Sequence, residues 1–254
     1  MDTETHNYRQ IEMLNQRGGR TLSIVDLITA RTISVEMAAY ALRAMERGYS
    51  LLTGARPGGA GKTTLMASIL HFLPPDERIV TVDHPDILAE GQERSVTDPA
   101  CYLVHEIGSG HYYGYLWGRD VADLIAIAEG PHRIASCLHA DTLEEMTNIL
   151  CLPPLRVDYD SLGCVGLILF IHAGRGPDGY RHRVTTFHEA DGRGGHRLLF
   201  EWNPAADTFR QVGELCNPDE LEPYVNFVRE LVADGESDCR EVRAKVVEFY
   251  RRSP

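Results

Sequence analysis

The sequence predicts an α/β chain built on a mostly parallel sheet, with an antiparallel β extension and helices at its C-terminal end. Three observations predict it. Short apolar runs at 50–54, 78–83, 100–106 and 132–140 alternate with helical patterns over about 100 residues, as strands do in a parallel sheet covered on both faces. A glycine-rich loop separates the first run from the first of these helices. After residue 163, three β-rich runs follow one another with turn signals and no helix between them.

Residues 1–20 are polar and read as a short helix or a frayed arm ahead of the main body, taken as 21–214. The stretch from Thr21 to Ser50 places apolar residues at helical spacing, with Ser34 as an N-cap whose capping box is incomplete. SLLTG (50–54) reads as a buried strand and KTTLMASILHFL (62–73) as a helix stopped by Pro74 and Pro75. RIVTVD ends before Pro85, ACYLVHE (100–106) is a third strand, and the helix 118–130 closes at Gly130. HRIASCLHA supplies a fourth strand and its exit loop, and Asp141 is placed to cap the following helix. GCVGLILFIHA, YRHRVTTFHEA and HRLLFEWN form the antiparallel extension, with GRGPDG and DGRGG as turns. Residues 215–254 hold two helices, the first started by Asp219 behind Pro218 and stopped by Gly235.

Composition narrows the possible functions. A hydrophobic content of 43% with 24% charged residues is that of a folded chain, not a disordered one. The net charge of -12 repels phosphate backbones and anionic lipid, so direct nucleic-acid binding is not expected. Cys101, Cys137, Cys151, Cys164, Cys216 and Cys239 include no CxxC pair, which suits a reducing cytoplasm. The longest apolar stretch, 163–171, is about half of what a bilayer crossing needs. Any membrane association is expected to run through a partner.

TGARPGGAGKTT (53–64) is the stretch that carries chemistry. Gly58, Gly59, Ala60 and Gly61 are small enough for successive backbone N–H groups to converge on phosphate oxygens; Lys62 supplies a cation, Thr63 a hydroxyl for Mg²⁺, and Thr64 continues the helix start. The motif GxxxxGK[ST] asks for glycine where this chain has Arg56, and a non-glycine residue takes a left-handed conformation only at about 1–2 kcal/mol. The pattern points to binding of ATP or GTP. Hydrolysis needs a carboxylate beside the loop: Glu106 ends one strand run and Asp83 ends another, expected to be a neighbour. His139 is placed either to sense the γ-phosphate or simply to pack.

With these motifs in place, residues 21–190 resemble the secretion and pilus ATPase family, in the branch of conjugative type IV secretion, tight-adherence pilus and archaeal filament ATPases. TISVEMAAYALRAMERGYSLLTG resembles the stretch that leads into the family's phosphate loop. RIVTVDHPDIL resembles its Asp box, with Asp83 and His84 where a Glu-Asp pair is usual. HEIGSGHYYGYLWGRDVADL resembles its Walker B region, with Glu106 on the catalytic glutamate and an inserted segment holding Tyr112, Tyr113, Tyr115 and Trp117. SCLHA resembles the His box and puts His139 on its histidine.

The resemblance implies a RecA-like P-loop core that binds ATP and Mg²⁺, with Glu106, Lys62, His139 and Asp83 catalytic and Thr63 and Glu106 at the metal. It also implies a homo-oligomer, a hexameric ring, acting with a membrane platform or with secretion and pilus proteins, cytoplasmic or peripheral to the membrane through that partner. Family members carry a separate N-terminal domain that covers the nucleotide, which the residues ahead of this loop are too few to encode. Two other readings stand beside the motor: a non-catalytic ATP-binding regulatory or structural subunit, and a RecA-like nucleic-acid ATPase, which the chain's acidity disfavours. The inserted aromatics are either interface anchors or a loop folded back on the domain edge.

Overall fold

The computed structural model describes residues 2–15, 18–95, 97–176, 179–215 and 217–252. Helices α1 (Thr3–Met13), α2 (Ile24–Thr29) and α3 (Val35–Glu46) lead into β1 (Leu51–Gly54), and α4 (Lys62–Leu70) follows the glycine-rich loop. Then come β2 (Arg78–Thr81), α5 (Asp86–Glu93), β3 (Ala100–Leu103), the short strands β4 (Glu106–Ile107) and β5 (Tyr115–Leu116), and α6 (Asp120–Ile127). They are followed by β6 (Arg133–Leu138), α7 (Leu143–Cys151) and α8 (Tyr159–Leu162). The tail holds β7 (Leu167–Gly176), β8 (Gly179–Ala190), β9 (His196–Asn203), β10 (Thr208–Gln211), α9 (Pro218–Asp234) and α10 (Cys239–Arg252).

The main path of the sheet runs β10-β9-β8-β7-β1-β6-β3-β2. Pairs from β7 through β1, β6 and β3 to β2 are parallel, and those from β7 to β10 are antiparallel. This is an α/β architecture with a mixed sheet and C-terminal helices, consistent with a RecA-like P-loop core. Period-two alternation explains why both faces are covered. On β1 and β7, Leu51, Leu167, Leu169 and Ile171 enter one core with α2, α3 and α4, while Leu52, Ile168 and Phe170 enter a second core with α6 and α7. No helix among the described residues is long and apolar enough to cross a membrane.

The N-terminal segment is docked. Asp2 caps α1 by accepting from the Thr5 N–H at 2.9 Å. Buried Asn7 then acts as a substitute strand neighbour on the edge of β2: its Nδ2 donates to Glu77 O and its Oδ1 accepts from Ile79 N–H, both at 2.8 Å. The C-terminal helix holds the same segment from the other side. Arg243 of α10 donates to the Glu4 carboxylate at 2.7 and 2.8 Å and to the carbonyls of His71 and Leu73 just past α4. The Cys239 thiol donates to Thr21 O at 3.2 Å.

Several local expectations are corrected. The 100–106 run is not one strand: β3 stops at Leu103, and the His105 N–H turns to Gly114 O at 2.7 Å, starting the β4–β5 pair. Thr142, not Asp141, caps α7, because its hydroxyl reaches the Glu145 N–H at 3.2 Å. Asn217, not Asp219, caps α9, its side chain accepting from the Asp219 N–H at 3.2 Å. The stretch before β1 is two helices, and α2 has a complete capping box between Ser23 and Asp26. Helix α5 and strand β10 were not expected from the sequence. Cys216 and the Pro177-Asp178 turn lie outside the described residues.

Two predictions follow from this packing. Asn7→Ala strands two buried backbone groups and should cost about 2–3 kcal/mol, read as a lower urea midpoint at unchanged slope; an unchanged midpoint would show that the α1 contact adds nothing. Burial holds His71, His105 and His188 down to about 4, with Arg243 adding to the effect at His71 and His196 at His188. Unfolding lets each bind a proton at higher pH, so the stability from neutral burial is complete above about pH 6.5 and is lost as pH falls toward 4. Urea unfolding across that window should show histidine-linked proton uptake, reduced by about one proton in His71→Gln.

Candidate functional site

Because β1 lies parallel between β6 and β7, the exits of all three strands share one edge of the sheet, where ligands bind in open α/β sheets. Gly54 ends β1 under compression: a Cβ there would lie 2.6 Å from Ala140 O and from the Phe170 ring. The chain therefore leaves the sheet at a point where only glycine fits, directly below the loop.

The left-handed turns of the loop fall on Gly59 (φ 83°) and Gly61 (φ 100°). Arg56 is not among the positive-φ residues, so its departure from the glycine motif carries no backbone strain. It has a different task. Its N–H donates to Asp141 Oδ1 at 2.7 Å and its guanidinium to Glu145 Oε1 at 2.6 Å, fastening the loop to the start of α7. That contact also explains why Asp141 does not cap the helix. On the other flank, His182 of β8 lies with Nδ1 2.8 Å from Ala60 O. The first intrahelical bond of α4 runs from Leu65 N–H to Gly61 O at 2.8 Å, leaving the amides of Lys62, Thr63 and Thr64 as the unpaired donors of a helix start. They and the helix dipole suit an anion.

Lys62 is buried, with Nζ 3.1 Å from Ala55 O, 3.3 Å from His139 Nδ1 and 3.8 Å from Glu106 Oε2. His139 spans the site. Its Nδ1 is 2.7 Å from Arg56 O, and its Nε2 is 3.2 Å from Glu106 Oε1. The two contacts of Nδ1 compete: an N–H there donates to the Arg56 carbonyl, whereas a bare nitrogen accepts from Lys62, and the shorter distance favours the first. The Lys62 ammonium and the Glu106 carboxylate thus compensate one another beside a cavity, with the His139 ring between them.

Behind them, the Cys137 thiol donates to His105 O at 2.9 Å and lies 3.8 Å from Thr63 Oγ1. Burial, reinforced by the Glu106 charge, pushes it up to about 12, so it stays a thiol. Burial first, and the Glu106 carboxylate against its hydroxyl second, push Tyr115 up to about 12 as well.

The cavity has a volume of about 490 Å³, within the usual range for small-molecule sites. Loop residues 58–61 and the start of α4, including Thr63 and Thr64, form its floor; His105, Glu106, Tyr115 and His139 form one wall. Asp83 is not brought to it. Strand β2 is separated from β1 by β6 and β3, and Asp83 is exposed beyond the strand end, where its carboxylate meets Tyr113. Among the described residues no three His, Cys, Asp or Glu side chains could hold a metal by themselves. Thr63 and Glu106 offer one hydroxyl and one carboxylate, so a Mg²⁺ there fits only with phosphate and water oxygens completing its shell.

Three contributors were not visible beforehand. His182 comes from the β extension, far from the loop in sequence. Tyr115 comes from the inserted aromatic segment, where the β4–β5 register places it opposite Glu106. Tyr112, Tyr113 and Trp117 of that segment are exposed, so it folds back on the domain edge through Tyr115 and Leu116 and shows its other rings to solvent. The third contributor is the N-terminal segment, whose Ile11, Leu14, Asn15, Arg20 and Leu22 also line the cavity.

No family model matches the chain. It is similar to an uncharacterized protein of Methanocaldococcus jannaschii, 24% identical over 274 aligned residues that cover 91% of this chain and 49% of that protein. A second uncharacterized protein of the same organism is 26% identical over 213 residues, covering 74% of this chain and 78% of its own length. The chain thus spans about half the length of the first relative. Among solved structures, it is similar to the VirB11 ATPase of the Brucella suis type IV secretion system (TM-score 0.43, 17% identity, 72% of this chain and 55% of that one). It is also similar to the ATPase DotB of Legionella pneumophila (TM-score 0.40, 10% identity, 89% and 56%) and of Yersinia pseudotuberculosis (0.41, 11%, 87% and 62%).

Gly61→Ala tests the loop geometry. A methyl at φ 100° would also come within 3.3 Å of Ile171 Cδ1 and 3.4 Å of His182 Nδ1. The variant should lose about 1–2 kcal/mol of stability in urea unfolding; parental stability would rule out a left-handed Gly61.

Proposed function

We propose that the chain binds ATP with Mg²⁺ at residues 58–64 and hydrolyses it as a subunit of a secretion- or pilus-type motor. The observation that carries this reading is the convergence on one cavity of a left-handed glycine loop, the unpaired amides of α4, the Lys62 ammonium and the Glu106 carboxylate. The motor assignment adds the sequence resemblance of residues 21–190.

The loop amides and Lys62 take the β- and γ-phosphate charge, drawing the ammonium from Ala55 O and Glu106 toward a more highly charged partner. Glu106, freed from Lys62 but still held by the Tyr115 hydroxyl, accepts a hydrogen bond from water and orients it for in-line attack on the γ-phosphorus. Thr63 and Glu106 are the protein groups toward the metal, which when bound would neutralise charge on the phosphate oxygens. His139 touches both the loop carbonyl of Arg56 and the carboxylate, so it registers whether the γ-phosphate is present. Asp83 does not line this cavity and takes no step in this reading. In the assembled state we place the chain in a homo-oligomeric ring, hexameric by resemblance, docked at the cytoplasmic side of a membrane platform protein.

Measuring Mg-ATP binding and turnover together tests this. Lys62→Ala should weaken binding at least about tenfold. Glu106→Gln should lower kcat by about 100-fold or more. Its affinity should be unchanged or tighter, because a negative charge beside the anion is gone. Tight binding by the parent without turnover would instead make it a nucleotide-binding regulatory subunit, and equal kcat for Glu106→Gln would remove Glu106 from catalysis.

A further inference from the structure

The two ends of the sheet are finished differently. At β2 the Asn7 amide and the His6 ring take outward backbone groups. At the other end, among the described residues, β10 has β9 as its one strand neighbour. Antiparallel pairing uses the backbone groups of alternate residues, so the other half face away from β9. Among the described residues no loop, turn or side chain hydrogen-bonds to those of Thr208–Gln211. Beside this edge runs a groove of about 430 Å³, between β10 and the turn from α2 to α3. Ile28 and Phe209, both half-buried, give it apolar surface, and Ser34 and Gln211 offer polar atoms.

One end of the groove holds an arginine in a costly backbone position. Helix α2 closes with the Arg31 N–H on Ile28 O and the Thr32 N–H on Leu27 O, both at 2.8 Å, which puts Arg31 (φ 58°) where a helix end favours glycine. Its guanidinium donates to Asp207 O at 2.8 Å, and Asp207 is left-handed too (φ 50°). Two of the three non-glycine residues with positive φ among the described residues thus meet each other, and such strain collects at ligand contacts. Packing does not demand the Arg31 side chain, which is 62% exposed.

Asp207 does not use up the local charge. Arg183 binds it through two bonds at 2.8 and 2.9 Å, Arg181 lies 3.2 Å away and Arg31 3.8 Å, so one carboxylate faces three guanidinium groups. The other carboxylates here are engaged: Glu201 pairs with Arg210, and Glu36 lies 3.7 Å from Arg229. In a chain of net charge -12 this edge is a positive exception. Pairing β10 with β10 of a second copy would set that surplus against itself. An acidic strand meets it with the opposite sign.

We propose that β10 and its groove receive an extended acidic segment of a partner protein, which adds a strand to the sheet, lays apolar side chains on Ile28 and Phe209 and sets a carboxylate on Arg31. This does not rest on the nucleotide reading.

Fluorescence anisotropy with the full chain and labelled probes tests it. The probes are an octapeptide alternating valine with glutamate, the same peptide N-methylated at its central residues, one alternating valine with lysine, and octauridylate. The parent should bind the first at least about tenfold more tightly than the others. Arg31→Gly should weaken that peptide by about five- to tenfold. Its urea midpoint should stay level or rise, because glycine suits the left-handed position, so the loss cannot be one of folding. Arg210→Glu, on the exposed side of β10, keeps the test valid if Arg31→Gly is destabilised: it should shift the preference from the glutamate toward the lysine peptide. No binding of the glutamate peptide, equal binding of the N-methylated or lysine peptide, or a preference for octauridylate would overturn the proposal. So would full affinity in Arg31→Gly or an unchanged preference in Arg210→Glu.

Discussion

The close approach at Gly54 is the constraint on which the rest of the site depends. A backbone carbonyl from the loop after β6 and an aromatic ring from β7 occupy the space where a Cβ of residue 54 would stand, so the ends of three strands meet where β1 carries no side chain. That contact fixes where the loop leaves the sheet, how near His139 comes to Lys62, and where α4 points its first amides. Its setting is a sheet buried on both faces, in which alternate residues of β1 serve different cores and neither can shift without exposing the other.

Electrostatics inside the cavity work against the sign of the whole chain. A net charge of -12 would hold a polyphosphate away, yet the helix start and Lys62 make one small electropositive place. Lys62 without ligand is not left bare in a low-dielectric interior; Glu106 compensates it at 3.8 Å and Ala55 O accepts from it. An arriving anion would exchange one set of partners for another and would not have to bury an unpaired charge. Elsewhere the same rule is met by Arg133 and Glu77, both buried and paired at 2.5 Å between β6 and the turn before β2.

Much of this was legible in the sequence because it is local. The run of Leu51 and Leu52, the glycines behind it, Lys62-Thr63 and the helix to Leu70 are adjacent in the chain, and the turn signals after residue 190 announce a hairpin through Asp191, which accepts from the N–H groups of Arg193 and Gly195. What could not be read depends on distant partners. Nothing local says that Arg56 bonds Asp141 and Glu145 and thereby leaves the capping of α7 to Thr142. The short β4–β5 pair escapes periodicity, since two residues cannot display an alternation. Asp83 was expected near the site because its strand is next in sequence, but sheet order places two strands between β2 and β1. The polar N-terminal stretch read as either a short helix or a frayed arm; the helix is what forms, but its docking was not legible because Asn7 reads as solvent-facing until β2 supplies the backbone it pairs with.

That pairing gives α1 a second consequence. Strand β2 ends the parallel side of the sheet, and an uncovered strand there would present free N–H and C=O groups to any extended chain that met it. The amide of Asn7 and the imidazole of His6 occupy those groups at Glu77 and Ile79. The segment that walls the cavity is therefore also a guard against intermolecular strand pairing. Cutting it away would uncover that strand edge and open one wall of the cavity at the same time, so the colloidal behaviour of the protein and the shape of the cavity are set by one segment.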